Sequence, residues 1–320
     1  MNGALFEMYN SIAKVQIIIE IITKTMKYVF NVVLAFVVIW VVWSVIDHEP
    51  RKESVSVAVM DGMGSFDGAR ITKTCSNYFQ MPVSVEFNND EMYVSNISDP
   101  DEDGLGYVCR MSLYGDIVDT LRIPALNAPK GMLEHDGYLY ITDVSRVLKY
   151  DLSRDTLVST IDVPDAKSLF DMAKDRTGRL FVSDTQGERI LCIDGDTAKI
   201  FAADTLLAGV SGLCSYNGYL YAACQKRIVR IDNAGRMRVF AYTAYPVCGI
   251  CSDDEGNFLT TDVSGNIYVV SSGKQQLLVS KRQGVSGADI GYIPEQRLLV
   301  VPTNSGNSVE IYEIGRYLQQ

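Results

Sequence analysis

The chain has 320 residues, 47% of them hydrophobic and 21% charged, the balance of a folded protein rather than a disordered one. Its formal net charge is −10. Within residues 1–53, Lys14, Lys24, Lys27, Arg51 and Lys52 cancel Glu7, Glu20, Asp47, Glu49 and Glu53, so the whole excess lies on residues 54–320. An acidic body repels polyphosphate, which argues against nucleic acid as a partner.

In chain order, residues 1–28 read as an amino-terminal cytoplasmic or juxtamembrane segment. Met26-Lys27 also resembles the start of a short basic leader, so an alternative start at Met26 stays open. VFNVVLAFVVIWVVWSVI, residues 29–46, carries no charge and only Asn31 and Ser44 as polar interruptions. As a helix it extends roughly 27 Å, close to the hydrocarbon thickness of a bilayer. Trp40 and Trp43 lie toward its far end, where interfacial aromatics are favoured. An uncleaved single-pass anchor is the expectation. A cleaved signal peptide is the competing reading, but the run continues into DHEPRKE with no small-x-small site. Lys24 and Lys27 before the span favour an inside amino terminus, which places the rest of the chain outside the cytoplasm, in the periplasm of a bacterium.

Beyond residue 54 short apolar runs are punctuated by turn dipeptides, the pattern of an all-β protein. The runs repeat: PVSVEFNNDEMYVSN, PKGMLEHDGYLYITD, KSLFDMAKDRTGRLFVSD, VSGLCSYNGYLYAAC, VCGICSDDEGNFLTTD and VSGADIGYIPEQRLLVVPT. With Ser84, Lys130, Phe170, Ser211, Cys248 and Ser286 taken as equivalent, the steps are 46, 40, 41, 37 and 38 residues. Six such units predict a six-bladed β-propeller over residues 76–320. In each unit a first strand turns back at a tight turn such as Asn217-Gly218, and two outer strands follow. The sixth unit shows three strands. Residues 47–75, a linker, also supply the closing strand, from around Ser54 to Met60 or Arg70 to Cys75. The fold class is therefore an all-β six-bladed propeller preceded by one transmembrane helix.

The units resemble NHL-type repeats. On DRTGRLFVSDTQGERI, DDEGNFLTTDVSGNIYVV and GADIGYIPEQRLLVVPTNSGNSVEIYEI, residues 76–314 resemble the senescence marker protein and gluconolactonase propellers, with strictosidine synthase and paraoxonase as distant relatives. The resemblance implies an axial divalent cation held by a Glu two residues before a Pro, an Asn before Gly and an Asp before Gly, with an Asn-Asp pair for substrate. Here those places hold Gln80 before Pro82, Ser211 before Gly212, Cys248 before Gly249 and Phe170 before Asp171. A hard cation needs carboxylate oxygens, and the set has lost them. No metal or other cofactor is expected, and no catalytic group is assigned.

Other constellations are weaker. Asp99, Asp101, Glu102 and Asp103 resemble a calcium loop, but Arg110 stands where the bidentate acid belongs. Asp143, Asp184 and Asp262 each end a second strand, a place for turn and loop hydrogen bonding. His48 and His135 are the only histidines, too few for a His-rich metal centre. Cys248-x-x-Cys251 falls on a predicted inner strand, where residues three apart point to opposite faces, so neither a disulfide nor a shared metal is expected. A turn at Asn217-Gly218 puts Cys224 opposite Ser211 and leaves Cys214 unpaired with it.

The expected binding surface is the axial face of Ser84, Lys130, Phe170, Asp171, Ser211, Cys248 and Ser286. Lys130 is the one charged group among the six aligned positions and suits an anion, or else pairs with a neighbouring carboxylate. The functional expectation is a membrane-anchored binding or scaffolding module for an unknown protein or small molecule. A lactonase or esterase with a rearranged axial site is the alternative, and a structural subunit of a membrane complex is a third.

Overall fold

A computed structural model describes residues 68–99, 104–121, 123–280 and 288–315. The apolar run at residues 29–46, Ser286 and most of the acidic 99–103 stretch lie outside them. Among the described residues no helix is long and apolar enough to cross a membrane.

The described chain forms six four-stranded antiparallel sheets, each a blade. Blade 1 is β2 (Pro82–Asn88), β3 (Glu91–Asn96), β4 (Tyr107–Ser112) and β5 (Ile117–Thr120). Blade 2 is β6 (Pro129–His135), β7 (Tyr138–Asp143), β8 (Arg146–Asp151) and β9 (Thr156–Asp162). Blade 3 is β10 (Leu169–Lys174), β11 (Leu180–Asp184), β12 (Arg189–Asp194) and β13 (Thr197–Ala203). Blade 4 is β14 (Val210–Tyr216), β15 (Tyr219–Cys224), β16 (Arg227–Ile231) and β17 (Met237–Tyr242). Blade 5 is β18 (Val247–Ser252), β19 (Phe258–Asp262), β20 (Ile267–Ser271) and β21 (Lys274–Val279). Blade 6 joins both ends of the domain: β22 (Gly291–Ile293), β23 (Leu298–Thr303) and β24 (Ser308–Ile314) are completed by β1 (Ala69–Ser76), paired to β24 from Ala69↔Ile314 to Ser76↔Ser308. Of the two segments proposed for the closing strand, the one at Arg70 to Cys75 supplies it. Closure leaves no inner strand edge to pair with another molecule.

The second strands read as nearly continuous apolar runs because both of their faces are buried, each against a different neighbouring blade. In β11, for instance, all five residues are buried. The core is accordingly six clusters between blades; Phe181, Ile190 and Ala202 of blade 3 meet Leu213, Ala222 and Val229 of blade 4 in one of them. The hairpins turn where expected: Asn217 and Gly218 have φ of 48° and 81°, and Asp136 and Gly137 have 52° and 80°, the paired left-handed residues that suit the strand twist.

One feature of the inner strands does not appear in the repeat alignment. Each of β2, β6, β10, β14 and β18 carries a bulge near its start, between Pro82 and Ser84, Pro129 and Met132, Leu169 and Met172, Val210 and Leu213, and Val247 and Ile250. The bulge puts Cys224 opposite Val210, and Cys214 faces Tyr221, which corrects the expected Cys224–Ser211 register by one residue. All seven cysteines are free.

Candidate functional site at the propeller axis

Register places the six aligned positions more closely than sequence did. Pro82, Pro129, Leu169, Val210 and Val247 face Asn96, Asp143, Asp184, Cys224 and Asp262, the last residues of the second strands. The positions equivalent to Lys130 are therefore Val83, Phe170, Ser211, Cys248 and, counting from Gly291↔Val300, Ala288, which takes the place expected of Ser286. Ser84 belongs one residue deeper, with Gly131, Asp171, Gly212, Gly249 and Asp289. The alignment slipped because β2 and β22 lack the apolar-x-Gly start that marks blades 2, 4 and 5.

The bulges are closed by a repeated latch. The hydroxyl of the next-to-last residue of the second strand accepts an inner-strand N–H in its own blade and donates to a carbonyl of the next blade. Ser95 Oγ accepts from Ser84 N at 3.1 Å and donates to Lys130 O at 2.6 Å. Ser183 Oγ accepts from Asp171 N at 2.9 Å and donates to Ser211 O at 2.7 Å. Thr261 Oγ1 accepts from Gly249 N at 3.1 Å and donates to Ala288 O at 2.8 Å, and Thr142 Oγ1 donates to Phe170 O at 2.8 Å. Blade 4 has Ala223 at that place, and Ser211 substitutes for it, its own hydroxyl donating to Val247 O at 3.1 Å and Cys248 O at 2.9 Å. Ser211 thus spends its hydroxyl joining blades. Ser183→Ala should leave Asp171 N–H and Ser211 C=O buried without that partner and cost about 1–3 kcal/mol, read from chemical denaturation. A loss within experimental error would show that the latch carries no stability.

The strand-end aspartates do the turn and loop work expected of them. Asp143 accepts from Asn127 N at 3.1 Å, Ala128 N at 2.7 Å and Arg146 Nε at 2.9 Å. Asp184 accepts from Ser168 N and Arg189 Nε, both at 2.9 Å, and Asp262 from Ser264 N at 2.7 Å and Tyr268 Oη at 2.9 Å.

Along the axis, Lys130, Phe170 and Cys248 are the half-buried members of the outermost ring. Lys130 Nζ donates to Ser168 Oγ at 3.1 Å and lies 5.6 Å from the centroid of the Phe170 ring. None of the ion pairs among the described residues engages it, so the alternative of pairing with a nearby carboxylate is not the arrangement found. Burial lowers its pKa. The Cys248 thiol is pushed up to about 11, first by burial and then by Asp262 and Asp289, which keeps it protonated and weakly nucleophilic.

One residue deeper, two buried carboxyls from opposite blades meet. Asp171 is 3% exposed and Asp289 5%. Asp171 accepts from Met172 N at 2.7 Å and from Leu213 N of blade 4 at 2.6 Å, while Asp289 accepts from Ser84 Oγ of blade 1 at 2.8 Å. Burial pushes both pKa values up, with the Asp289 charge adding to the rise at Asp171. Carboxyls that act on each other in this way titrate as a pair. A third acid, Glu86, faces the next level and accepts from Glu134 N of blade 2 at 2.8 Å. Burial pushes its pKa up to about 8. Repeat register already set Asp171 and Asp289 near Lys130 as carboxylates able to pair with it, whereas Glu86 had no sequence signal of its own, since only the ring brings residues 86, 171 and 289 together. Cys214 and Cys251 follow on adjoining blades, their thiols raised by burial; the cysteine that acts on Cys251 is Cys214 rather than Cys248.

The three positions that the sequence resemblance assigns to a cation, and the fourth that it assigns to substrate, do not fit an ion-centred site. Gln80 Oε1 accepts from Ser98 Oγ at 2.8 Å, Phe170 offers a ring, the Ser211 hydroxyl is committed as a donor, and Cys248 is a protonated thiol. A hard divalent cation needs several ionised oxygens, and this set offers none.

The fold and axis define a six-bladed β-propeller whose channel has a lysine at its mouth and a buried acid pair beneath. No protein-family model and no curated protein matches the chain. Among solved structures it is similar to one assigned as a gluconolactonase, with TM-score 0.61 and 16% identity over 79% of this chain and 94% of that one. It is also similar to virginiamycin B lyase of Staphylococcus aureus, in a catalytically inactive His-to-Ala form with quinupristin, with TM-score 0.56 and 14% identity over 77% and 99%. A protein of unknown function from Bacteroides thetaiotaomicron matches with TM-score 0.62 and 13% identity over 77% and 76%. At such identities the likeness is one of fold.

Proposed function

We propose that this propeller is a membrane-tethered, extracytoplasmic binding module whose channel mouth takes an anionic ligand or an anionic group of a protein partner through Lys130. The observation that carries this reading is the ammonium of Lys130, half-buried against the Phe170 ring with a serine hydroxyl and no carboxylate as its partners. A desolvated cation in that state gains from an arriving anion what water no longer gives it. The tether is the apolar run at residues 29–46.

The test is calorimetric titration of the full chain with a panel of carboxylates and phosphate esters. Lys130→Gln should weaken an anion that binds at the mouth by about tenfold or more, the loss of one charge-assisted hydrogen bond. No binding by any anion, or a panel in which no anion is weakened by the variant, overturns the reading.

A second reading, a hydrolase or lyase with a rearranged centre, is favoured by the acid pair, because a carboxyl whose pKa burial raises can serve as a general acid. Solved propellers of similar fold include one assigned as a gluconolactonase and a streptogramin B lyase. Turnover of lactones or esters that survives Lys130→Gln and is lost in Asp171→Asn would select this reading over the first.

A further inference from the structure

On the flank of the ring, away from the axis, blades 2 and 3 part in a cleft of about 480 Å³. Its floor is the apolar core between those blades, with the buried Ile161, Leu180 and Ile193 lining it from beneath and the exposed Val158 at its side. Its wall is aromatic and cationic. Lys149 Nζ lies 4.0 Å from the centroid of the Tyr138 ring and 5.6 Å from that of Tyr140. The two acids that also line the cleft do not neutralise this lysine: Asp136 lies against His135 Nε2 at 3.5 Å, and none of the ion pairs among the described residues engages Lys149 or Asp196.

The residues of blade 3 that border it, Gly178 and Gly195, have φ of +84° and +60°, a region where side chains are disfavoured, so this rim carries no side chain. An apolar floor, a flat aromatic wall and one cation without a carboxylate partner make a site of the kind that holds small ligands: mostly apolar, with a few polar groups to fix orientation.

We propose that this cleft between blades 2 and 3 is a second ligand site, distinct from the axis, for a flat apolar or aromatic molecule bearing a carboxylate. The carboxylate meets Lys149 and the Ser159 hydroxyl, and the apolar body lies on Ile161, Leu180 and Ile193. The Tyr138 and Tyr140 rings already hold the ammonium in place, so little side-chain freedom is lost on binding.

The probe is benzoate, titrated into the full chain and followed by ligand-observed NMR, with benzyl alcohol as the uncharged counterpart. Benzoate is expected to bind in the roughly millimolar range of a small fragment. Lys149→Gln should weaken it by about tenfold, to the level of benzyl alcohol. Ser159→Tyr, which fills the cleft beside the lysine and keeps its charge, should abolish binding of both. Lys130→Gln should leave the cleft's affinity for benzoate unchanged, which separates this site from the axial one. Absence of benzoate binding, equal binding of benzoate and benzyl alcohol, or binding that survives Ser159→Tyr and disappears in Lys130→Gln would each overturn the assignment.

Discussion

Thermal unfolding of the full chain should show stability falling as pH rises from about 5 to about 8, the reverse of the usual dependence for an acidic protein. The cause is the axial acids. Glu86 is raised to about 8 and Asp289 to about 6, with Asp171 raised alongside it, all first by burial. In the unfolded chain the same groups titrate near 4. A carboxyl raised by folding contributes its full stabilisation below the unfolded value and loses it as pH climbs through the folded value. Between about pH 4 and 8 the fold must therefore hold protons that the unfolded chain has released. Above that window ionised carboxyls sit on the axis, with Lys174 the cation that acts on Glu86 among the described residues. The combined effect is on the order of a few kcal/mol. Asp175, whose pKa is lowered by hydrogen bonds from Thr177 and Arg179 that outweigh its desolvation, contributes with the opposite sign and is lost only at more acid pH. Glu86→Gln should flatten the upper part of the profile and Asp289→Asn the lower. A melting temperature that is level or rises from pH 5 to 9 would falsify the account.

Replacing Gly131 by alanine should unfold or severely destabilise the ring. A Cβ there would lie 2.4 Å from Asp171 Cα, 2.5 Å from Phe170 O and 2.8 Å from Asp171 Oδ1. The first two are backbone atoms of the next blade's inner strand, so the clash is relieved only by moving β6 away from β10. That displacement breaks the Thr142 latch to Phe170 O and disturbs the acid pair together. A cost of about 3 kcal/mol or more is expected, at the upper end of overpacking effects. Gly137→Ala is the control. That glycine sits in a hairpin turn at φ +80° with nothing within 4 Å of a Cβ, so it should lose only about 1 kcal/mol from backbone strain. The comparison is a denaturant titration of both variants. Equal losses would mean that close approach of the inner strands does not limit the fold.

Much of the fold was legible before the structure. Repeating YLYITD, LFVSD, YLYAAC and FLTTD runs, each preceded by a turn, carry hydrogen-bonding period and burial in the same few residues, and those signals are local. The closing strand was legible as a place to look, because three strands cannot finish a blade. The strand-end aspartates were legible because an Asp beside a turn has few other uses. The axial geometry was less so. Repeat spacing aligns residues to within one or two positions, while a bulge depends on pairing across a sheet. Ser84 and Ser286 were therefore set at the mouth with Lys130, whereas Ser84 lies a step deeper and Ala288 stands in register in the sixth blade.

Sequence by itself determined the number of blades, the order of strands within them and the loss of carboxylates from the places a cation would need, because each of these resides in residue type and short-range spacing. Only the tertiary structure decided that Glu86, Asp171 and Asp289 share one axis, that Ser211 joins blades, and that Lys130 faces a ring instead of a carboxylate. Those contacts join residues 40 to 200 positions apart, and their energies arise from burial at the centre of a closed ring, a property that no single repeat possesses.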